Sequence, residues 1–118
     1  MKIQPSFARK TRNKYGAKKM QVGEVTFDSK KEAQRYMELQ LLERAGEISN
    51  LRRQVKIELM GQHRPLYTRT GRKMRLTADY AYTDGGVEVF EDAKGCWTRD
   101  FEVRYAVAIA MGINFRVT

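Results

Sequence analysis

The chain has 118 residues, 42% of them hydrophobic, and a formal net charge of +9, which suits one domain with one core. No apolar run approaches the ~20 residues needed to span a membrane, and no apolar stretch of the secretory-signal kind follows the basic N-terminus. The single cysteine, Cys96, excludes an internal disulfide and a multi-cysteine zinc site, and one histidine, His63, leaves little for schemes built on imidazoles; a cytoplasmic setting is the expectation.

Residues 1–19 read as a basic flexible arm. Lys2, Arg9, Lys10, Arg12, Lys14, Lys18 and Lys19 occur without an acid, and apolar residues are few. Such an arm grips phosphates or merely aids solubility; Phe7 and Tyr15 add rings that can stack on bases. Residues 20–118 read as one domain. Met20 to Phe27 suits a short strand or hairpin bent at Gly23. Ser29-Lys30-Lys31-Glu32 matches a capping box, in which a serine and a glutamate three residues on satisfy the free N–H groups of a helix start. Ala33, Met37 and Leu41 repeat at four, with Tyr36, Leu39 and Leu42 widening an inward stripe, and Gly46 ends the helix.

A strand follows, best at Val55 to Leu59, with Val55, Ile57 and Leu59 inward and Arg52, Arg53 and Lys56 making a basic side. Gln54 just before it has an amide to offer a ligand. Met60 to Arg72 reads as a polar loop carrying His63, Arg64, Arg69 and Arg72, either gripping DNA or simply solvated. Lys73 to Tyr82 alternates as a strand, Val87 to Asp92 as another, and Asp-Gly-Gly between them signals a hairpin. Thr98 caps a second helix to Met111, whose inner stripe is Phe101, Tyr105, Ala108 and Ile109. Arg99 and Arg104 are within reach of phosphate or are ordinary surface charge. Ile113 to Val117 is a last strand, and strand–helix–strand implies a parallel crossover.

The hairpin carries the chemistry. With Asp84-Gly85 as turn residues, Asp79 faces Phe90; with Gly85-Gly86, it faces Asp92. Either way Asp79, Asp92 and Lys94 share one face, because residues two apart along a strand point the same way; a three-residue loop would instead put the two aspartates on opposite faces and defeat this reading. Directly opposed Cβ atoms lie about 4.5–5.5 Å apart. Carboxylates that close repel unless a cation intervenes, and a divalent metal with oxygen ligands is the economical answer. A cross-strand pair of Asp79 with Lys94 alone is the plainer alternative. Glu32 is either the capping glutamate or a third carboxylate of the site.

Charge is segregated. Residues 1–31 carry nine basic residues and two acids, and residues 51–75 carry eight and one, while 32–50 and 76–118 are net acidic. Cations for phosphates beside carboxylates for a metal fit a nucleic-acid partner.

The order helix, three antiparallel strands, helix, strand, with Glu32 on the first helix, Asp79 on one strand and Asp92-Ala93-Lys94 on the next, resembles the PD-(D/E)XK nuclease superfamily. Asn13-Lys14-Tyr15-Gly16-Ala17-Lys18, Phe27 to Tyr36, Leu41 to Ile48 and Glu91 to Gly95 also look like a family of small phage and prophage proteins known as a domain of unknown function. That likeness covers nearly the whole chain. It implies an α/β (α+β) fold with a restriction-endonuclease-like core, an αβββαβ mixed sheet flanked by helices, over residues 20–118. It maps metal-binding carboxylates to Asp79 and Asp92, the catalytic lysine to Lys94 and the helix glutamate to Glu32. The superfamily's first-motif proline is absent, since Ala78 precedes Asp79.

The expectation is therefore a Mg²⁺-dependent DNA endonuclease, with Mn²⁺ able to substitute, selective for branched or junction DNA in phage recombination, replication or packaging inside a bacterial host. The alternative is a non-catalytic DNA-binding or assembly protein on the same fold. Arg9, Lys10, Arg12, Lys14, Lys18, Lys19, Arg52, Arg53, Arg69, Arg72 and Arg99 are the expected DNA contacts. Two-fold symmetric cuts would need a homodimer.

Overall fold

The computed structural model describes residues 19–93 and 97–118. Most of the basic arm, including Arg9, Lys10, Arg12, Lys14 and Lys18, lies outside the described residues, as do Lys94 and Cys96. The chain divides into two compact units, Met1–Met37 and Glu38–Thr118.

In the first unit β1 (Met20–Val22) and β2 (Val25–Phe27) form an antiparallel hairpin pairing Met20 with Phe27. Gly23 turns it at φ 60°, a conformation glycine adopts without Cβ strain. Helix α1 (Lys30–Arg44) starts in this unit and ends in the second. Its start is the expected cap: the Glu32 N–H donates to Ser29 Oγ at 3.1 Å. Phe27 and Tyr36 pack with ring centroids 5.2 Å apart.

The buried line of α1 differs from the expected one. Ala33 and Leu39 are fully buried, whereas Met37 and Leu41 are 38% and 61% exposed. Apolar residues occur in two phases, Ala33-Tyr36-Leu39 at spacing three and Ala33-Met37-Leu41 at spacing four. Spacing alone does not choose between such rows, and the first is the one that turns inward. The helix ends in a Schellman motif. The Glu47 N–H reaches the Leu42 carbonyl at 2.9 Å and the Gly46 N–H the Glu43 carbonyl at 3.0 Å, with Gly46 at φ 81°.

The second unit holds a four-stranded mixed sheet in the order β3 (Ser49–Glu58), β4 (Arg75–Asp84), β5 (Val87–Asp92) and β6 (Phe115–Val117). The first two joints are antiparallel and the last is parallel. Helix α2 (Arg99–Ala110) connects β5 to β6, and the Thr98 hydroxyl caps it by accepting the Phe101 N–H at 3.1 Å. The mixed α/β class and the αβββαβ order are as expected, with the short β1–β2 hairpin added in front. The core clusters Ile57, Leu59, Leu76, Ala78, Ala81, Phe90, Phe101, Ala108 and Phe115. Ile109, expected inside, is 44% exposed; Phe101 and Ala108 set the phase of the helix, and Ile109 falls one step round from Ala108.

The segment expected to be a polar loop is built. Leu66 lies between the ends of β3 and β4: its N–H donates to the Leu59 carbonyl at 2.9 Å and its carbonyl accepts the Met74 N–H at 2.8 Å. Beyond it Tyr67 pairs with Lys73, and Thr68 closes the tip by accepting the Arg72 N–H on its hydroxyl at 3.1 Å. One half-buried leucine in thirteen mostly polar residues gives no period to read, so the sequence pattern misses this structure.

Candidate functional site

The hairpin register follows from its turn. Asp84 pairs with Val87 and Tyr80 with Glu91, so Gly85-Gly86 are the turn residues, at φ 61° and 83°. Two positive φ values make a type I′ turn, whose twist matches that of the strands. One step further along this register, Asp79 stands opposite Asp92.

At that step the strands exchange side-chain bonds instead of continuing their backbone ladder. The Asp79 N–H donates to Asp92 Oδ1 at 3.0 Å, and the Ala93 N–H donates to Asp79 Oδ2 at 3.0 Å. The Asp92 carbonyl accepts from the Thr118 N–H at 2.9 Å, and Asp92 pairs with Val117. The Asp92 main chain thus bonds towards β6 while its side chain bonds towards β4. Each carboxylate faces an N–H dipole of the opposite strand, a second way to offset the like-charge repulsion that the sequence reading assigned to a cation alone. Asp92 is 5% exposed and Asp79 is half-buried.

The other neighbour of Asp79 is also irregular. Arg53 pairs with Tyr80 and Val55 with Ala78, which leaves Gln54 across from Asp79. Gln54 sits at φ 53°, a left-handed conformation that costs a non-glycine residue about 1–2 kcal/mol. The residue singled out for its amide is thus exposed, backbone-strained and opposite a candidate ligand.

Oxygen donors of this kind suit a hard divalent cation. The bond each accepts from backbone uses one oxygen, and an ionised carboxylate has capacity for more than one partner. Two carboxylates are a partial ligand set, and among the described residues no group of three or more His, Cys, Asp or Glu is arranged to hold a metal. Water and phosphate oxygens commonly complete such sites.

The family model described as "Protein of unknown function (DUF1064)" matches residues 12–111. The chain belongs to this family. No curated protein and no solved structure shows significant similarity to it.

In this DUF1064 protein the remaining candidates separate. Glu32 stands on the first turn of α1, its amide on the Ser29 cap. Lys19 is exposed, as are Arg69, Arg72 and Arg99. Arg52 is tied to Glu88 by a 2.7 Å ion pair on the surface, and Arg53 is half-buried. Arg104 bonds Asp100 at 3.0 Å and the Arg75 carbonyl at 2.8 Å, which fixes it as a brace between α2 and β4. Trp97, at 44% exposed, packs edge-on to Phe101 and Tyr105 with centroids 4.9 and 5.3 Å away.

The sequence reading passed over Glu91. It is fully buried and accepts the Tyr82 hydroxyl at 2.7 Å on Oε1. A signal existed: adjacent strand residues face opposite ways, so if Asp92 faces the site, Glu91 must face the other layer. No helix of the described residues is long and apolar enough to cross a membrane.

Proposed function

We propose that the chain is a divalent-metal-dependent DNA endonuclease of the PD-(D/E)XK type, hydrolysing phosphodiester bonds of branched or junction DNA in the cytoplasm of a bacterial host. The observation that supports it most is the opposition of Asp79 and Asp92 across β4 and β5, at the point where the strands change from backbone to side-chain bonding. Asp-Xaa-Lys continues directly from Asp92, as the resemblance to that superfamily requires.

In this reading Asp79 and Asp92 would hold the metal, their positions set by the backbone bonds they accept. A Mg²⁺ or Mn²⁺ ion there supplies Lewis acidity and an activated water. Lys94 holds or moves the proton of the attacking water, or offsets charge developing on the phosphate. Ser29 caps α1 by accepting the Glu32 N–H, and the resemblance alone assigns the Glu32 carboxylate as a further ligand. Basic residues of the arm and of the β3–β4 connection supply affinity that falls steeply with salt. A homodimer would deliver paired cuts.

The reciprocal backbone bonds of the two aspartates also favour a second reading, in which they pin the strands of a DNA-binding protein that does not cut. Incubating labelled four-way junction, nicked, linear duplex and single-stranded DNA with Mg²⁺, Mn²⁺ or EDTA separates the two. Cleavage lost in EDTA supports the nuclease; tight binding without cleavage of any form supports the second reading.

A further inference from the structure

The connection between β3 and β4 carries a feature that the carboxylate site does not use. Residues 60–73 hold Arg64, Arg69, Arg72 and Lys73 and no acid. The segment is firmly founded. Leu66 is bonded on both sides, the Gly61 N–H donates to the Arg64 carbonyl at 2.8 Å, and the Met60 N–H reaches Met111 Sδ on α2's C-terminal cap at 3.3 Å. Gly61 packs closely here: a Cβ would lie 3.1 Å from Leu66 Cδ2 and 3.3 Å from the Arg64 carbonyl oxygen, so its neighbours would have to give by a few tenths of an ångström.

An open depression of about 390 Å³ lies along this stretch, lined among others by Gln62, His63, Arg64, Leu66 and Tyr67. Tyr67 is 48% exposed, although most of its chain neighbourhood is ordered. Gln62, His63 and Arg64 are exposed beside it. An aromatic face, amide and imidazole edges and nearby guanidinium groups are the parts that hold a nucleotide: stacking for the base, hydrogen bonds for its edge, and cations for its phosphates. A base within a duplex is stacked on both sides and cannot enter such a depression.

We infer that the Gly61–Tyr67 depression captures one unpaired nucleotide, with Tyr67 stacking on the base, and so selects DNA that carries an unpaired position. This rests on the reading of the chain as a DNA-acting protein and adds what it recognises. Lys73, the partner of Tyr67, lies six residues before Asp79, or roughly 20 Å along an extended chain.

The test is binding in EDTA by the full-length protein and its Tyr67→Ala and Tyr67→Phe variants. The probes are a perfect DNA duplex and the same duplex with a single bulged 2-aminopurine. Wild type is expected to prefer the bulged duplex by about five- to a hundredfold and to quench the 2-aminopurine, the range expected of one base–aromatic stack. Tyr67→Phe retains both effects; Tyr67→Ala loses both and keeps its affinity for perfect duplex. If the wild type shows no preference, if Tyr67→Ala retains it, or if Tyr67→Ala weakens both duplexes equally, the capture site is overturned while DNA binding stands. Failure of the wild type to bind either DNA overturns the DNA reading and the capture site with it.

Discussion

Asp79 and Asp92 hold each other's strands: each carboxylate accepts one backbone N–H across the gap between β4 and β5, both at 3.0 Å. A substitution that removes an acceptor is therefore expected to differ from one that removes only charge. Asp92→Ala deprives the Asp79 N–H of its acceptor in a part-buried setting and is expected to cost about 1–3 kcal/mol in stability. Asp92→Asn keeps a side-chain oxygen as acceptor and is expected to unfold within about 1 kcal/mol of wild type. Both are expected to abolish cleavage while sparing DNA binding. Urea unfolding beside a cleavage assay reads the two effects separately, and wild-type cleavage by Asp92→Asn would remove the carboxylate from the mechanism.

Glu91 and Tyr82 form the buried counterpart on the other side of the hairpin. Tyr82→Phe removes the hydroxyl that donates to Glu91 Oε1 and leaves the carboxylate's burial unchanged, for an expected loss of about 1–3 kcal/mol. Thermal unfolding checks this. A variant as stable as wild type would mean that the hydroxyl contributes nothing net.

Much of this architecture was legible in the sequence because its signals are local. The capping box at Ser29, Gly46 as terminator and Thr98 as cap are each short motifs with one backbone solution. The hairpin left two registers open, and the I′ turn at two glycines is what brings Asp79 opposite Asp92. What was hidden depends on tertiary neighbours. The inward rows of α1 and α2 are chosen by what packs on them, so Met37, Leu41 and Ile109 were misassigned. Glu91 was passed over because a carboxylate in a strand reads as exposed until both faces of the sheet are covered. The order within residues 60–73 comes from backbone bonds at Gly61, Leu66 and Thr68 and from the Met60–Met111 contact, which no periodicity announces.

The corrected phase of α1 has a direct consequence. Leu39 is fully buried and Leu41 is 61% exposed. Leu39→Ala is expected to cost about 2–5 kcal/mol, whereas Leu41→Gln is expected to stay within about 0.5 kcal/mol of wild type. Equal losses from the two, measured by chemical unfolding, would restore the row at spacing four.

Gln54 offers a test of stored strain. Glycine at this position relieves a left-handed conformation costing about 1–2 kcal/mol, less about 0.5–1 kcal/mol of extra chain entropy. Gln54→Gly is thus expected to be up to about 1.5 kcal/mol more stable than wild type and to cleave more slowly, since strained positions persist where function needs them. A rise in Tm with unchanged cleavage would detach Gln54 from the site.

The central claim is that the Asp79–Asp92 pair with Lys94 hydrolyses DNA, and one assay bears on it most directly. Wild type, Asp92→Asn and Lys94→Ala are incubated with labelled four-way junction and linear duplex in Mg²⁺ and in EDTA, with binding measured in parallel. The account expects cleavage of junction DNA by wild type in Mg²⁺ only, with both variants binding and neither cutting. Tight binding by all three proteins with no cleavage of either DNA would contradict it.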